Sequence, residues 1–362
     1  MARSPTGSES LRSRIRSASA FVFSLFACTA PPEVVPSHEG SLTTERPWPQ
    51  EGSDMPPHPG LQFARLDNGL RLAWLDRAVP SGRCALRLVV HVGSLDEREG
   101  ERGMAHFVEH MAFNGTRRFP GTSIVDWFQS QGMAFGRDVN AVTGFEGTTF
   151  KIDLARCDAA ALAEGLEVLC DFSSGIRFDP EEVVAEIGVV DAEERERASP
   201  DSQAGQEVWQ RLVAGTRGAE RLPIGLRAER RLFTPESLRE FHERWYRPDN
   251  MTLVIVGDLG TLDPRALVTD AFGARPRPLS PLPVRANPGT PTLVDTHFAI
   301  EQPDRPEVNY LIQSLQPRAA GAETVEELRR ASRLEAACEM AYWTLADQTR
   351  SATSPVQRVR VL

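Results

Sequence analysis

Two histidines and a glutamate with the chemistry of a hydrolytic metal site fall within five residues, in the run His106-Phe107-Val108-Glu109-His110. On a helix, positions i and i+4 share a face with side chains about 5–6 Å apart. Two imidazoles so placed can reach one Zn2+ at ~2.0–2.1 Å each. Glu109, three residues after His106, projects to the same side. Zinc lowers the pKa of a bound water towards ~7, so a carboxylate beside it can serve as general base. This HxxEH order is the inverse of the HExxH zincin motif. Histidine is scarce, 7 in 362 residues, which gives the pattern weight. The alternative is two capping or surface histidines, which would leave the apolar Phe107 and Val108 wedged between them. Those two suit a helix that packs on one side and faces a metal on the other.

A catalytic zinc takes a third protein ligand and keeps one position open. The segment 179–197 offers candidates. Asp179-Pro180-Glu181 has the composition of a helix start, and Glu186 and Glu193 lie two turns apart on one face. Val183, Val184, Val189 and Val190 are placed to bury the helix beside them. Spacing alone leaves Glu186, Glu193 and Glu194 open, with a solvated charged stripe as the plain alternative.

The elements that must position these residues can be read around them. Residues 61–66 and 70–75 flank Asp67-Asn68-Gly69, a strong hairpin signal. A third strand is expected at 84–92, its Val/Leu content predicting burial on both faces, followed by a charged loop, 93–103. Helices are expected at 104–113 and 123–131, then strands at 133–135 and 147–154 around a polar turn, 136–146. Helices follow at 158–172, 179–197 and 235–245, a strand at 251–256 ends in Gly257-Asp258, and a helix spans 263–272. The prolines of 276–291 mark a linker. Beyond it, strands at 293–300 and 308–313 and a helix at 324–344 outline an incomplete second unit. The class is α+β: helices packed on a mainly antiparallel sheet, one complete domain at 60–275 and a partial one of similar kind at 292–362.

Composition sets the outer bounds. Hydrophobic residues at 41% and charged residues at 25% describe a globular chain with a sizeable core. A net charge of -9 disfavours nucleic acid. After residue 30 no stretch approaches the ~20 apolar residues a membrane span needs. The start differs: Arg3, Arg12, Arg14 and Arg16 precede an apolar run at 18–27, the plan of a secretory signal peptide, 1–27. Leu25-Phe26-Ala27-Cys28 resembles a lipoprotein lipobox, so Cys28 is expected to carry a lipid, with 28–59 as a flexible tether. That places the chain outside the cytoplasm, in the periplasm or anchored to the outer membrane of a bacterium. No CxxC pair occurs, and the other four cysteines are expected to be free thiols. His91 is expected in a strand, His242 beside Trp245, and His38 and His58 in the tether.

The segment 103–120 (GMAHFVEHMAFNGTRRFP) resembles the signature of the pitrilysin/insulysin-type metallopeptidases, the family that includes mitochondrial processing peptidase. Asp138-Val139-Asn140-Ala141, the helix 178–195 and the segment 245–258 resemble later family segments in order. The resemblance implies zinc, one ion per chain, held by His106, His110 and Glu193, with Glu109 as general base and Glu186 supporting the site. It implies that Asn140 and Ala141 bind an extended substrate by strand addition. Ile187 and Ala192 depart from the family's usual residues without removing a ligand. The family's second-half Arg/Tyr pair has no counterpart here.

Two functions follow from this. One is a zinc metalloendopeptidase cutting peptides or unfolded protein segments. The other is a lipid-anchored zinc-binding subunit without turnover of its own, or a half that needs a partner half.

Overall fold

The computed structural model describes residues 48–292, 300 and 324–348. The expected export signal, Cys28 and the start of the tether therefore lie outside the described residues, as do nearly all of the strands expected at 293–300 and 308–313. The described residues divide into two compact units, one containing 57–292 and the other containing 48–56 and 324–348. In the second unit a helix, Val325–Gln348, runs from Val325, whose N–H donates to Asp54 Oδ1 at 2.7 Å. No described helix is long and apolar enough to cross a membrane.

The larger unit is built on six strands: β1 Leu61–Arg65, β2 Arg71–Asp76, β3 Cys84–Val90, β4 Val139–Thr143, β5 Thr148–Leu154 and β6 Met251–Gly257. Their order in the sheet is β1-β2-β6-β3-β5-β4, antiparallel throughout except for the parallel pair β2–β6. The hairpin read from Asn68-Gly69 is present, with Gly69 at φ +93, where only glycine is unstrained. The helices are α1 Met104–Met111, α2 Ser123–Ser130, α3 Ala159–Ser174, α4 Pro180–Arg197, α5 Pro200–Leu212, α6 Arg227–Arg230, α7 Pro235–Trp245 and α8 Pro264–Phe272. Helix α3 lies on β3 and β5, with α8 against it, while α1 lies on β4 and β5 between α4 and α7. The core between them holds Leu86, Leu88, Phe107, Phe150, Phe172 and Leu253, all essentially inaccessible.

Several expectations need correction. β3 alternates buried and half-buried residues, so it is covered fully on one face only. Its apolar content reflects a central position, not two packed faces. No strand forms at 133–135; Phe135 makes only an isolated bridge to Val139, and the supposed polar turn contains β4, the edge strand. Helix α5 had no expectation, because none of its residues is buried and no apolar stripe marks it. Cys84 and Cys157 are not free thiols but a disulfide, their Cα atoms 5.1 Å apart; Cys170 and Cys338 are free. The proline-rich stretch 276–291 is irregular, yet Arg285 donates to Asp96 and to the Glu146 carbonyl, which ties it to the sheet loops. His242 stacks on Tyr246, ring centroids 4.4 Å apart, rather than on Trp245.

Candidate metal centre

Helix α1 starts where two glycines meet. Gly103, at φ +94, precedes the first turn, and a Cβ on Gly225 would lie 2.3 Å from the Arg102 carbonyl oxygen. The fully buried Glu97 accepts the first free N–H groups of the helix, from Gly103 at 3.0 Å and Ala105 at 2.9 Å. Burial pushes the pKa of Glu97 up to about 8, against these two bonds and Arg221. Apolar Phe107, Val108 and Met111 then fix the helix in the core, which leaves His106, Glu109 and His110 facing α4 and β4.

The Nε2 atoms of His106 and His110 lie 3.1 Å apart. Glu193 Oε2, from α4, is 3.6 Å from the first and 3.5 Å from the second. Ligand atoms ~2.0–2.1 Å from a tetrahedral zinc are separated by roughly 3.3 Å, so the three atoms stand at the spacing one such ion demands. Glu193 Oε2 is buried and has no hydrogen-bond partner among the described residues, an arrangement that is costly unless a cation is to be met. Its other oxygen pairs with Arg197, one turn on. Two nitrogens and a carboxylate are a donor set that suits zinc. These residues are also the described group of His, Cys, Asp and Glu able to hold a metal.

Around this trio the remaining expected residues take distinct places. His110 Nδ1 bonds Glu186 Oε1 at 2.6 Å, and the other oxygen of Glu186 accepts from Asn114. Glu186 therefore orients an imidazole and leaves its Nε2 free, the usual carboxylate–histidine support of a metal ligand. Burial pulls the His110 pKa down, but the Glu186 bond and the surrounding carboxylates outweigh it and raise it. Burial, with the nearby His110, Arg197 and Arg230, holds His106 at about 3, a neutral imidazole fit to be a ligand. Glu109 Oε2 accepts from Thr143 Oγ1 at 2.6 Å, and burial raises its pKa against that bond. Glu194, one of the alternatives left open by spacing, points elsewhere and pairs with Arg230. Ala141 and Asn140 lie on β4 at the sheet edge, Asn140 exposed and opposite Lys151. Ile187 is half-buried against the core.

Residues 74–226 match the family Insulinase (Peptidase family M16), and residues 232–328 match the Peptidase M16 inactive domain. Both matched segments are thus similar to domains of peptidase family M16. The boundary between the two matches precedes β6, so one sheet is built from both. The Probable zinc protease PqqL of Escherichia coli (strain K12) is 38% identical over 222 residues, which are 61% of this chain and 24% of that protein. The Zinc protease PQQL-like of Arabidopsis thaliana is 36% identical over 207 residues, 57% of this chain and 22% of that protein. The crystal structure of the first half of the periplasmic protease PqqL from Escherichia coli aligns with a TM-score of 0.59 at 37% identity, covering 64% of this chain and 51% of that one. The chain thus spans about a quarter of the length of these curated relatives.

Sequence reasoning missed four residues of the site. Thr143 and Glu97 carry no local signal, because each acts across a gap in the chain that only the fold closes. Asn114 sits in the quoted signature without an assigned role. Arg197 was detectable, since an acid and a base at i and i+4 form a helical pair.

Proposed function

We propose that the chain is a zinc metalloendopeptidase domain. The convergence of His106 Nε2, His110 Nε2 and Glu193 Oε2 at 3.1–3.6 Å is the observation that carries the reading. These three residues would hold one zinc ion, and 60–275 is the domain that supplies them. Zinc held there supplies Lewis-acid activation of a water and of the scissile carbonyl. Glu109 takes the proton from the attacking water and passes it to the leaving amine. Its raised pKa suits a group that must both accept and return a proton. Glu186 fixes the ring of His110 throughout. Extended peptides or unfolded segments align along β4, at Asn140 and Ala141.

The N-terminal signal, a lipid at Cys28 and a periplasmic or outer-membrane-anchored location belong to the same proposal. The periplasmic relative supports export, as does the Cys84–Cys157 disulfide, which forms readily in an oxidising compartment.

A second reading rests on length. The residues here match about a quarter of the relative, so turnover would require residues beyond them, supplied by further sequence or by a partner half. Cleavage of a mixed peptide library by wild type and Glu109→Gln separates the two. Cleavage in wild type that disappears in the variant supports a self-sufficient peptidase. No cleavage by a folded, zinc-loaded wild type supports the second reading.

A further inference from the structure

We propose that Thr143 is a positioning residue for Glu109 that also joins it to the open edge of the sheet. Its hydroxyl holds the carboxylate, while its own backbone N–H and C=O face an incoming extended peptide. This rests on the peptidase reading above and deepens it.

The side-chain half of the argument is a distance. Thr143 Oγ1 donates to Glu109 Oε2 at 2.6 Å, a short bond of the charge-assisted kind. The hydroxyl lies 3.3 Å from Thr148 Oγ1, and Thr148 donates to the Val92 carbonyl at 3.0 Å. Thr143 thereby stands against a fully buried neighbour.

The backbone half is a matter of register. β4 and β5 are antiparallel, with Thr143 opposite Thr148 and Asn140 opposite Lys151. Gly144 N–H donates to the Gly147 carbonyl at 2.9 Å, and Asp153 N–H donates to the Asp138 carbonyl at 2.7 Å. In an antiparallel ladder alternate residues turn both backbone groups to the same neighbour. Asn140 and Val142 therefore spend both of theirs on β5, Asp138 its carbonyl and Gly144 its N–H, and Val139, Ala141 and Thr143 turn theirs outward. Val139 is already engaged, by Ala134 and Gly136. Ala141 and Thr143 have no backbone partner among the described residues, and β4 ends the sheet. An extended peptide adding to this edge would pair with Ala141 and Thr143. Asn140 can contribute only its exposed side chain. Thr143 is the outward-facing residue whose side chain reaches the base.

One residue thus meets both the substrate backbone and the base. Pairing of a peptide with Thr143 fixes its backbone torsions, hence the direction of Cβ and of the hydroxyl that holds Glu109. Binding of the peptide and alignment of the base become a single event, read mainly in kcat.

The test compares the full chain, zinc-loaded, as wild type, Thr143→Val and Thr143→Ser, by crystallography and by steady-state cleavage of the best-cut peptide of a mixed library. Valine keeps the shape and loses the hydroxyl; serine restores it. Expected are a single Glu109 rotamer at hydrogen-bond distance from residue 143 in wild type and Thr143→Ser, and a displaced Glu109 carboxylate in Thr143→Val. Zinc content and Tm should be unchanged across the set. The Thr143→Val kcat should fall about 10–100-fold at nearly constant KM, with Thr143→Ser near wild type. A Glu109 that keeps its place in Thr143→Val overturns the proposal, as does a Thr143→Val kcat equal to wild type. If wild type cleaves nothing, the peptidase reading has failed, and the Glu109 rotamers still decide the role of Thr143.

Discussion

Two helices bring the candidate metal ligands to one point, and different forces hold them there. Helix α1 buries seven of its eight residues, with Phe107 inaccessible and set edge-on to Phe233, ring centroids 5.5 Å apart. Helix α4 buries only Val183, Glu186, Val190 and Asp191 of its eighteen. From Asp191 onward it is held by ion pairs to α6, Asp191 with Arg227 and Arg230 and Glu194 with Arg230, while Glu193 pairs with Arg197 within α4 itself. The geometry of the histidine pair is thus set by close packing, which tolerates no change of shape. The position of the third ligand is set by charge. Substitutions that touch packing should damage α1, and substitutions that touch charge should damage α4.

The largest effect is expected from Phe107→Ala. Emptying that place in the core should cost about 4 kcal/mol in urea unfolding, with the site lost as α1 loosens. A cost below about 1 kcal/mol would mean that packing does not hold this helix.

Next is Arg230→Met. Arg230 is inaccessible and bonds Asp191 at 2.6 Å and Glu194 at 2.6 Å, so its removal strands a buried carboxylate. About 3 kcal/mol should be lost, and Asp191→Leu added to it should recover part, because the stranded charge is the source of the cost. A full loss that the second change does not relieve would place α4, like α1, under the control of shape.

A pH comparison probes the packed side again through His242, buried among Phe178 and Tyr246 on α7. Burial, reinforced by Arg275, lowers its pKa to about 3. The folded state therefore keeps the ring neutral while the unfolded chain protonates it near 6.5. The contribution of this group is intact above about pH 6.5 and declines as pH falls towards 3. His242→Phe should be less acid-sensitive than wild type by about 2 kcal/mol between pH 7 and pH 5, read from unfolding curves. Equal acid sensitivity in both would contradict a neutral buried imidazole.

Arg197→Ala should matter least. Arg197 is 68% exposed, so its pair with Glu193 is well screened, and the stability change should stay within ~0.5 kcal/mol. A larger loss would give surface charge more hold on Glu193 than exposed pairs usually have.

The same division decides what the sequence disclosed. Helix α1 and the His106/Glu109/His110 set were legible because an apolar stripe and ligand spacing coincide within one short segment. Helix α7 was legible to the residue, since Thr234-Pro235 opens it and apolar periodicity sustains it. β4 was hidden because five residues of alternating exposure lie between glycines and charges that read as a turn. Helix α5 lacks a buried face and so lacks a pattern. On α4, spacing left three glutamates open: of the four valines expected to bury it, Val183 and Val190 are buried but Val184 and Val189 are exposed, so the apolar pattern did not fix which glutamate faces the histidines. The family resemblance chose Glu193, and the fold places its Oε2 beside both histidines while Glu186 and Glu194 face other partners. Thr143 and Glu97 needed the fold, since their partners are 34 and up to 8 residues away.

The most direct test of the central claim is a zinc titration of the metal-free chain by calorimetry, in wild type, His110→Ala, Glu193→Gln and Glu109→Gln. One zinc per chain is predicted for wild type and for Glu109→Gln, and markedly weaker binding for His110→Ala and Glu193→Gln. Absence of zinc binding in wild type, or binding that survives both ligand substitutions unchanged, would contradict the metal centre described here.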